Sequence, residues 1–262
     1  MIPKFVVTTG GERYKKFIQN IKDTQSFEII KIFNAYTEDI FLKSPFQDHG
    51  KMTKGAVGCL LSHMAIWRHI SEMTCRFAMI VEDDWVPPKN MNLAEWNMSL
   101  ENIACKISDD VDYVYLTMPS ENMYMDGRES VYMESRKKCD EKFSLYSCLP
   151  CFSTGAQLVS PKGARYLLEN LGSQIAVASD AIILMSSASN AELSYIEKNN
   201  PDWHKKINEL RKNGRKHLIT KAVLRPKMFY KFENKHENKN FWKIAQFGET
   251  PILWNDSLTE FD

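Results

Sequence analysis

Apolar and polar positions along the chain follow two patterns. Short runs of consecutive apolar residues, closed by glycine or by acids, predict strands buried on both faces. Longer stretches with apolar residues three or four apart predict helices. KFVVTTGG (residues 4–11) is the first such strand. ERYKKFIQNIK (12–22) places Tyr14, Phe17, Ile18 and Ile21 at helical spacing, and FEIIKIFNAY (27–36) predicts a second strand. Strand, helix, strand in this order predicts a largely parallel α/β sheet.

The pattern continues. TKGAVGCLLSHMAIWRHISEM (53–73) sets Val57, Leu60, Leu61, Met64, Trp67 and Ile70 on one broad helical face. RFAMIV (76–81) predicts a strand, which runs into three acids and is stopped by Pro87-Pro88. LAEWNMSLENIACKI (93–107) predicts a helix, and DYVYLTM (112–118) and GAQLVS (155–160) predict strands. Ser160, Pro161 and Gly172 supply an N-cap, a first-turn proline and a stop for the helix PKGARYLLENL. Asn200-Pro201 and Gly214 frame another helix. Residues 119–150 lack periodicity and are expected to be irregular, as a lid or binding loop is.

Composition narrows the class. A chain of 262 residues suits one large α/β domain or two small ones. Its net charge of +1 argues against a nucleic-acid binder. Charge is nevertheless unevenly spread: residues 205–243 hold thirteen Lys or Arg against three Glu. That segment is either a solvated helical face or a surface for an anionic partner. Six cysteines are too sparse for a disulfide scaffold, and Cys148-Leu-Pro-Cys151 lacks the second pair that a structural zinc would need. The opening residues do not read as a signal peptide, and no stretch has the roughly 18 apolar residues of a membrane span. A cytoplasmic protein is the expectation.

The chemistry is expected at FAMIVEDDW (77–85). Alternation along a strand points Glu82 and Asp84 to one side and Asp83 to the other. Open α/β sheets bind ligands beyond the carboxyl ends of their strands. Two carboxylates there suit a hard divalent cation, Mn²⁺ or Mg²⁺, completed by substrate phosphates. A solvated acidic turn fits the same three residues.

The residues around the acids resemble glycosyltransferase family 25, which includes lipooligosaccharide and collagen hydroxylysine galactosyltransferases. The resemblance rests on a Gly-x-x-Gly-Cys-x-x-Ser-His helix followed by an apolar strand ending in Glu-Asp-Asp. Here these are Gly55, Gly58, Cys59, Ser62, His63 and Glu82 to Asp84. FVVTT with Arg13, FNAY, STGAQLVSPKGARYLL and Asp180 in VASDAIIL extend the likeness over about residues 3–186. Thr8-Thr9 stands where the family usually has Asn-Leu, and residues 119–150 match no family segment.

The resemblance implies a GT-A-type, Rossmann-like nucleotide-sugar-binding domain over residues 1–190. A mainly helical, basic C-terminal region over 191–262 would be packed on it or complete it. It implies a metal-dependent, inverting transfer of a hexose, galactose from UDP-galactose first and glucose second. The acceptor would be a lipooligosaccharide-like saccharide or a glycoprotein. Asp84 and Glu82 would hold Mn²⁺ or Mg²⁺, with Asp83 on the ribose or orienting the strand end. Asp180 would be the base that takes the acceptor proton, a metal or acceptor contact, or a helix N-terminal residue favoured by the dipole. Arg13, Gly58, Ser62 and His63 would line the donor site. His63 also reads as a hydrogen-bonded core residue, Ser62 as a packing or cap group, and Arg13 as helix surface. Trp85 and Trp67 could stack on sugars, though Trp67 suits the core better. The alternatives are an inactive nucleotide-sugar-binding scaffold of the same fold and a metal-dependent phosphodiesterase. Basic residues with interleaved aromatics at 205–243 suggest peripheral contact with an anionic membrane.

Overall fold

The computed structural model describes residues 1–8, 10–21, 28–31, 52–83, 85, 93–116, 132–138, 143–148, 154–171, 178–187, 217, 221–226 and scattered positions from 193 to 212. Eight strands form one sheet: β1 (Lys4–Thr8), β2 (Glu28–Lys31), β3 (Ala78–Glu82), β4 (Tyr113–Tyr115), β5 (Tyr132–Lys138), β6 (Phe143–Cys148), β7 (Ala156–Val159) and β8 (Lys221–Pro226). Their order across the sheet is β2-β1-β3-β7-β4-β8-β6-β5. The helices are α1 (Gly11–Ile21), α2 (Lys54–Ser71), α3 (Leu93–Lys106), α4 (Pro161–Leu171) and α5 (Ser179–Ser187).

β1 runs parallel to β2 and β3, β7 is antiparallel to β3 and β4, and β4 pairs parallel with β8. The sheet is therefore mixed. Its central strands are buried on both faces, which is why they read as unbroken apolar runs. Phe5, Val7, Ala78, Ile80, Tyr113, Tyr115 and Val159 share one core with residues of α2, α4 and α5. Val6, Met79, Val81, Val114, Ala156 and Leu158 share the other with Phe17 of α1 and with Trp96, Leu100 and Ile103 of α3. Alternate side chains of each strand thus serve alternate layers.

Local chemistry sets the element ends. Gly10 and Gly11 have φ of 81° and 70°, a left-handed turn that takes the chain from β1 into α1. Thr53 caps α2, its Oγ1 accepting from the Ala56 N–H at 3.2 Å. Ser160 caps α4, its Oγ accepting from the Gly163 N–H at 2.9 Å. Gly163 also lets α4 approach the chain at the start of β4, since a Cβ there would lie 2.6 Å from the Asp112 carbonyl oxygen.

One sequence expectation needs correction and another an addition. Part of 119–150 is an antiparallel pair, β5 and β6, rather than an irregular stretch. The region after residue 190 also contributes a strand: β8 lies between β4 and β6. Lys221 at its start is buried, with Nζ donating to the Ser187 carbonyl at 3.2 Å, so it belongs to the sheet rather than to a basic surface. Between Pro201 and Gly214 the described positions 201, 204, 205, 208, 209 and 212 are helical. The aromatics Phe229, Tyr230, Phe232, Phe241 and Trp242 lie outside the described residues.

Candidate active site

β1 and β3 are parallel neighbours, so their carboxyl ends, Thr8 and Glu82, come together. Alternation then sends two successive acids in opposite directions. Glu82 follows Ile80 and Ala78 toward α2, while Asp83 follows Val81 toward α1.

On the α1 side Asp83 is buried, and both of its oxygens are engaged. Oδ2 accepts from Thr8 Oγ1 at 2.7 Å, and Oδ1 pairs with Arg13 Nη2 at 2.9 Å. Thr8 Oγ1 in turn accepts from the Gly10 N–H at 2.9 Å. This chain of contacts fixes the end of β1, the glycine turn, the first turn of α1 and the end of β3 relative to one another. Of the two roles expected for Asp83, these contacts describe orientation of the strand end. Arg13 lies beside Asp83 and keeps more than half of its side chain in solvent.

On the α2 side Glu82 meets His63. Oε1 accepts from Thr154 Oγ1 at 2.5 Å and stands 3.6 Å from His63 Nε2. At that distance the imidazole contact is electrostatic rather than a hydrogen bond. His63 is fully buried, neither ring nitrogen makes a hydrogen bond among the described residues, and its ring tilts against Trp67 at 5.7 Å. Burial alone would lower the pKa of His63, but contact with Cys59 and Glu82 outweighs it and lifts the value to about 9. Burial works against ionisation of Glu82 too; His63, the Thr154 hydroxyl and the Arg13 charge overcome it and hold the carboxyl below its ordinary value.

Cys59 is one turn before His63, and its Sγ lies 3.6 Å from Ser179 Oγ at the start of α5. That contact brings Asp180 to the site. Asp180 Oδ1 accepts from the Ala181 N–H at 2.8 Å. Burial, and then the charge of Glu82, raise its pKa to about 6 despite that hydrogen bond and the proximity of His63. The helix N-terminus favours the carboxylate, but desolvation prevails.

The other expected residues are placed less directly. Ser62 is buried and its Oγ donates to the Gly58 carbonyl at 2.9 Å, a bond within α2. Gly58 is buried one residue beyond the first intrahelical bond, Val57 N–H to Thr53 C=O, so its N–H is past the free donors of the helix start. Gly55 is among those free donors. Trp67 and Trp85 are both core residues, and Trp85 packs 6.4 Å from Trp96, which removes the expected sugar stacking at Trp85. Asp84 lies outside the described residues. Thr154 and Ser179 complete the site without having been singled out, and Thr8, noted only as a departure from the family's usual Asn-Leu, proves to hold Asp83.

A hard cation is consistent with this donor set. Glu82 commits Oε1 to Thr154 and is partly exposed, and its second oxygen makes no hydrogen bond among the described residues. That oxygen is of the kind Mn²⁺ and Mg²⁺ select. Asp83 does not fit as a ligand, because Thr8 and Arg13 occupy it.

Fold and site together define a mixed α/β protein whose ionisable groups converge beyond two parallel strand ends. The chain belongs to glycosyltransferase family 25, described as LPS biosynthesis protein: that family's model matches residues 11–183. It is accordingly a glycosyltransferase, which takes a sugar donor and a glycan acceptor. The apo crystal structure of mouse xyloside xylosyltransferase 1 is similar at 9% identity and a TM-score of 0.38, over 95% of this chain and 94% of that one. No curated protein matches the chain. Among the described residues no helix is long and apolar enough to cross a membrane.

Proposed function

We propose that the protein transfers a hexose, galactose from UDP-galactose, to a saccharide of the lipooligosaccharide type, with inversion and with a divalent cation. The observation that carries this reading is the convergence of Glu82, Asp180 and His63 at the strand end. One carboxyl, Glu82, is held ionised, and the other, Asp180, has a pKa of about 6. Two carboxyls whose environments push their pKa values apart are suited to different tasks.

Glu82 and Asp84 would hold Mn²⁺ or Mg²⁺, which supplies Lewis-acid stabilisation of the departing diphosphate. Arg13, more than half exposed beside Asp83, adds positive charge from the α1 side of the strand end. Asp180 takes the proton of the acceptor hydroxyl; a base that titrates near 6 is ionised at neutral pH and still basic enough to be useful. His63 holds Glu82 in place from below and is not in the path of the sugar. The basic segment 205–243, of which Lys205 and Lys212 are exposed, would rest on the anionic headgroups of the acceptor's membrane.

The test is turnover of UDP-galactose and UDP-glucose with a saccharide acceptor. EDTA should abolish transfer and Mn²⁺ restore it. Asp84→Asn should keep the fold and lose most activity, since an amide is a poorer ligand. Full turnover in EDTA refutes the metal role.

A further inference from the structure

We infer that Cys59, His63 and Glu82 form a binding site for a thiophilic divalent cation, best matched by Zn²⁺. The site is distinct in chemistry from the all-oxygen Glu82–Asp84 pair, and the inference does not depend on the transfer reaction.

Three observations carry it. First, one ligand atom from each of Cys59, His63 and Glu82 lies within 4.8 Å of the other two. Cys59 and His63 are four residues apart on α2, so they share a helix face, and Glu82 enters from the end of β3. Second, the spacing suits the ion. Zn–N of about 2.0–2.1 Å and Zn–O of about 2.0–2.2 Å give a tetrahedral N···O edge of about 3.3–3.5 Å. His63 Nε2 and Glu82 Oε1 are 3.6 Å apart, and Oε1 keeps a second lone pair beside the one that accepts from Thr154. Third, His63 is fully buried and neither of its nitrogens has a hydrogen bond among the described residues. A buried ring nitrogen without a hydrogen bond is costly, and a metal bond at Nε2 would satisfy that nitrogen.

The donor set also decides which ion. Thiolate and imidazole select borderline or soft cations such as Zn²⁺ over Mn²⁺ and Mg²⁺. Three protein ligands leave a fourth position open, as in zinc sites that keep a water. Ser179 Oγ, 3.6 Å from the Cys59 sulfur, lies beside the site. On binding, the proton of the Cys59 thiol and any proton on His63 Nε2 pass to solvent while sulfur and nitrogen bond the metal, so affinity rises with pH. Occupation would hold Glu82 toward α2 and withdraw it from the metal shared with Asp84.

Co²⁺ serves as the probe, since a cobalt–thiolate bond gives a charge-transfer absorption that oxygen ligands do not. Titration of the metal-stripped full chain should produce this band at one equivalent, and Zn²⁺ should bleach it by displacement. The band should persist in Cys148→Ser/Cys151→Ser, which removes the competing pair of thiols, and disappear in Cys59→Ser. Calorimetry with Zn²⁺ alone should show at least tenfold weaker binding in Cys59→Ser and in Glu82→Gln. Absence of the band in the parent overturns the inference without reference to any variant. A band that survives Cys59→Ser in a chain whose circular dichroism is unchanged, or one lost with Cys148 and Cys151, also overturns it.

Discussion

Replacing Asp180 by Asn should make the protein more stable and less active. Folding lifts the Asp180 pKa from 3.8 to about 6, chiefly by burial. An acid whose pKa is raised by folding binds its proton more tightly in the native state. Its contribution to stability is present below the unfolded value and is lost as pH rises through the folded one. The native state therefore becomes less stable between about pH 4 and 6, and the penalty persists above that. A shift of about two units corresponds to roughly 3 kcal/mol at neutral pH, as an upper bound. Asn avoids the penalty, because it carries no charge, and its carbonyl oxygen can still accept from the Ala181 N–H. Allowing for relaxation, we expect about 1–3 kcal/mol of added stability at pH 7.5, or several degrees in Tm. At pH 4 the gain should vanish. Thermal melts of both proteins across this range measure the difference. Transfer should fall by about 10² to 10⁴, the usual cost of losing a general base, with UDP and Mn²⁺ binding little changed by calorimetry. Equal or lower stability of the variant at pH 7.5 would refute the electrostatic argument. Loss of donor binding would instead make Asp180 a donor or metal residue.

Further outcomes follow from the same geometry. In the parent, transfer should fall about tenfold per pH unit below about 6 as Asp180 is protonated, and a bound cation near Glu82 should move that limit lower; a pH–rate profile of kcat measures it. Folding raises the His63 pKa from 6.5 to about 9, so its contribution to stability is complete below pH 6.5 and lost as pH rises through 9. His63→Gln should flatten that part of the curve in denaturant melts. Gly163→Ala places a Cβ against the Asp112 carbonyl and should cost about 1–3 kcal/mol by overpacking, again read from melts. Liposome flotation should show binding to anionic but not neutral vesicles at low salt, reduced when Lys205, Lys206, Arg211, Lys212, Arg215 and Lys216 become Gln, since each basic residue contributes about 1 kcal/mol.

Much of the framework is written locally in the chain. β1, α2, α3 and α4 carry their own periodicity, and Thr53, Ser160 and Pro161 mark the starts of α2 and α4. The site is legible only in part. Alternation along β3 was enough to set Glu82 and Asp83 on opposite faces. It could not show that Thr8 and Arg13 hold Asp83, or that Thr154 and His63 hold Glu82, because those contacts arise from strand pairing and helix packing. The hairpin was obscured because β5, YMESRKK, is polar after Met133, and only Phe143 and Leu145 in β6 keep a two-residue apolar period. β8 lies among lysines and arginines, so composition masked a strand whose place is set by two distant neighbours.

The position of β8 bears on how the chain is made. β4 and β6 have no direct pairing in the sheet order; β8 alone joins them, parallel to one and antiparallel to the other. Until residues 221–226 leave the ribosome, β4 presents an unpaired edge and the β5–β6 hairpin has nothing to dock on. Nascent or truncated chains ending before Lys221 thus expose two rows of unpaired backbone amides and carbonyls, the surface on which strands of other molecules assemble. Completing the sheet is a late, long-range event, and the same strand guards the finished protein against aggregation.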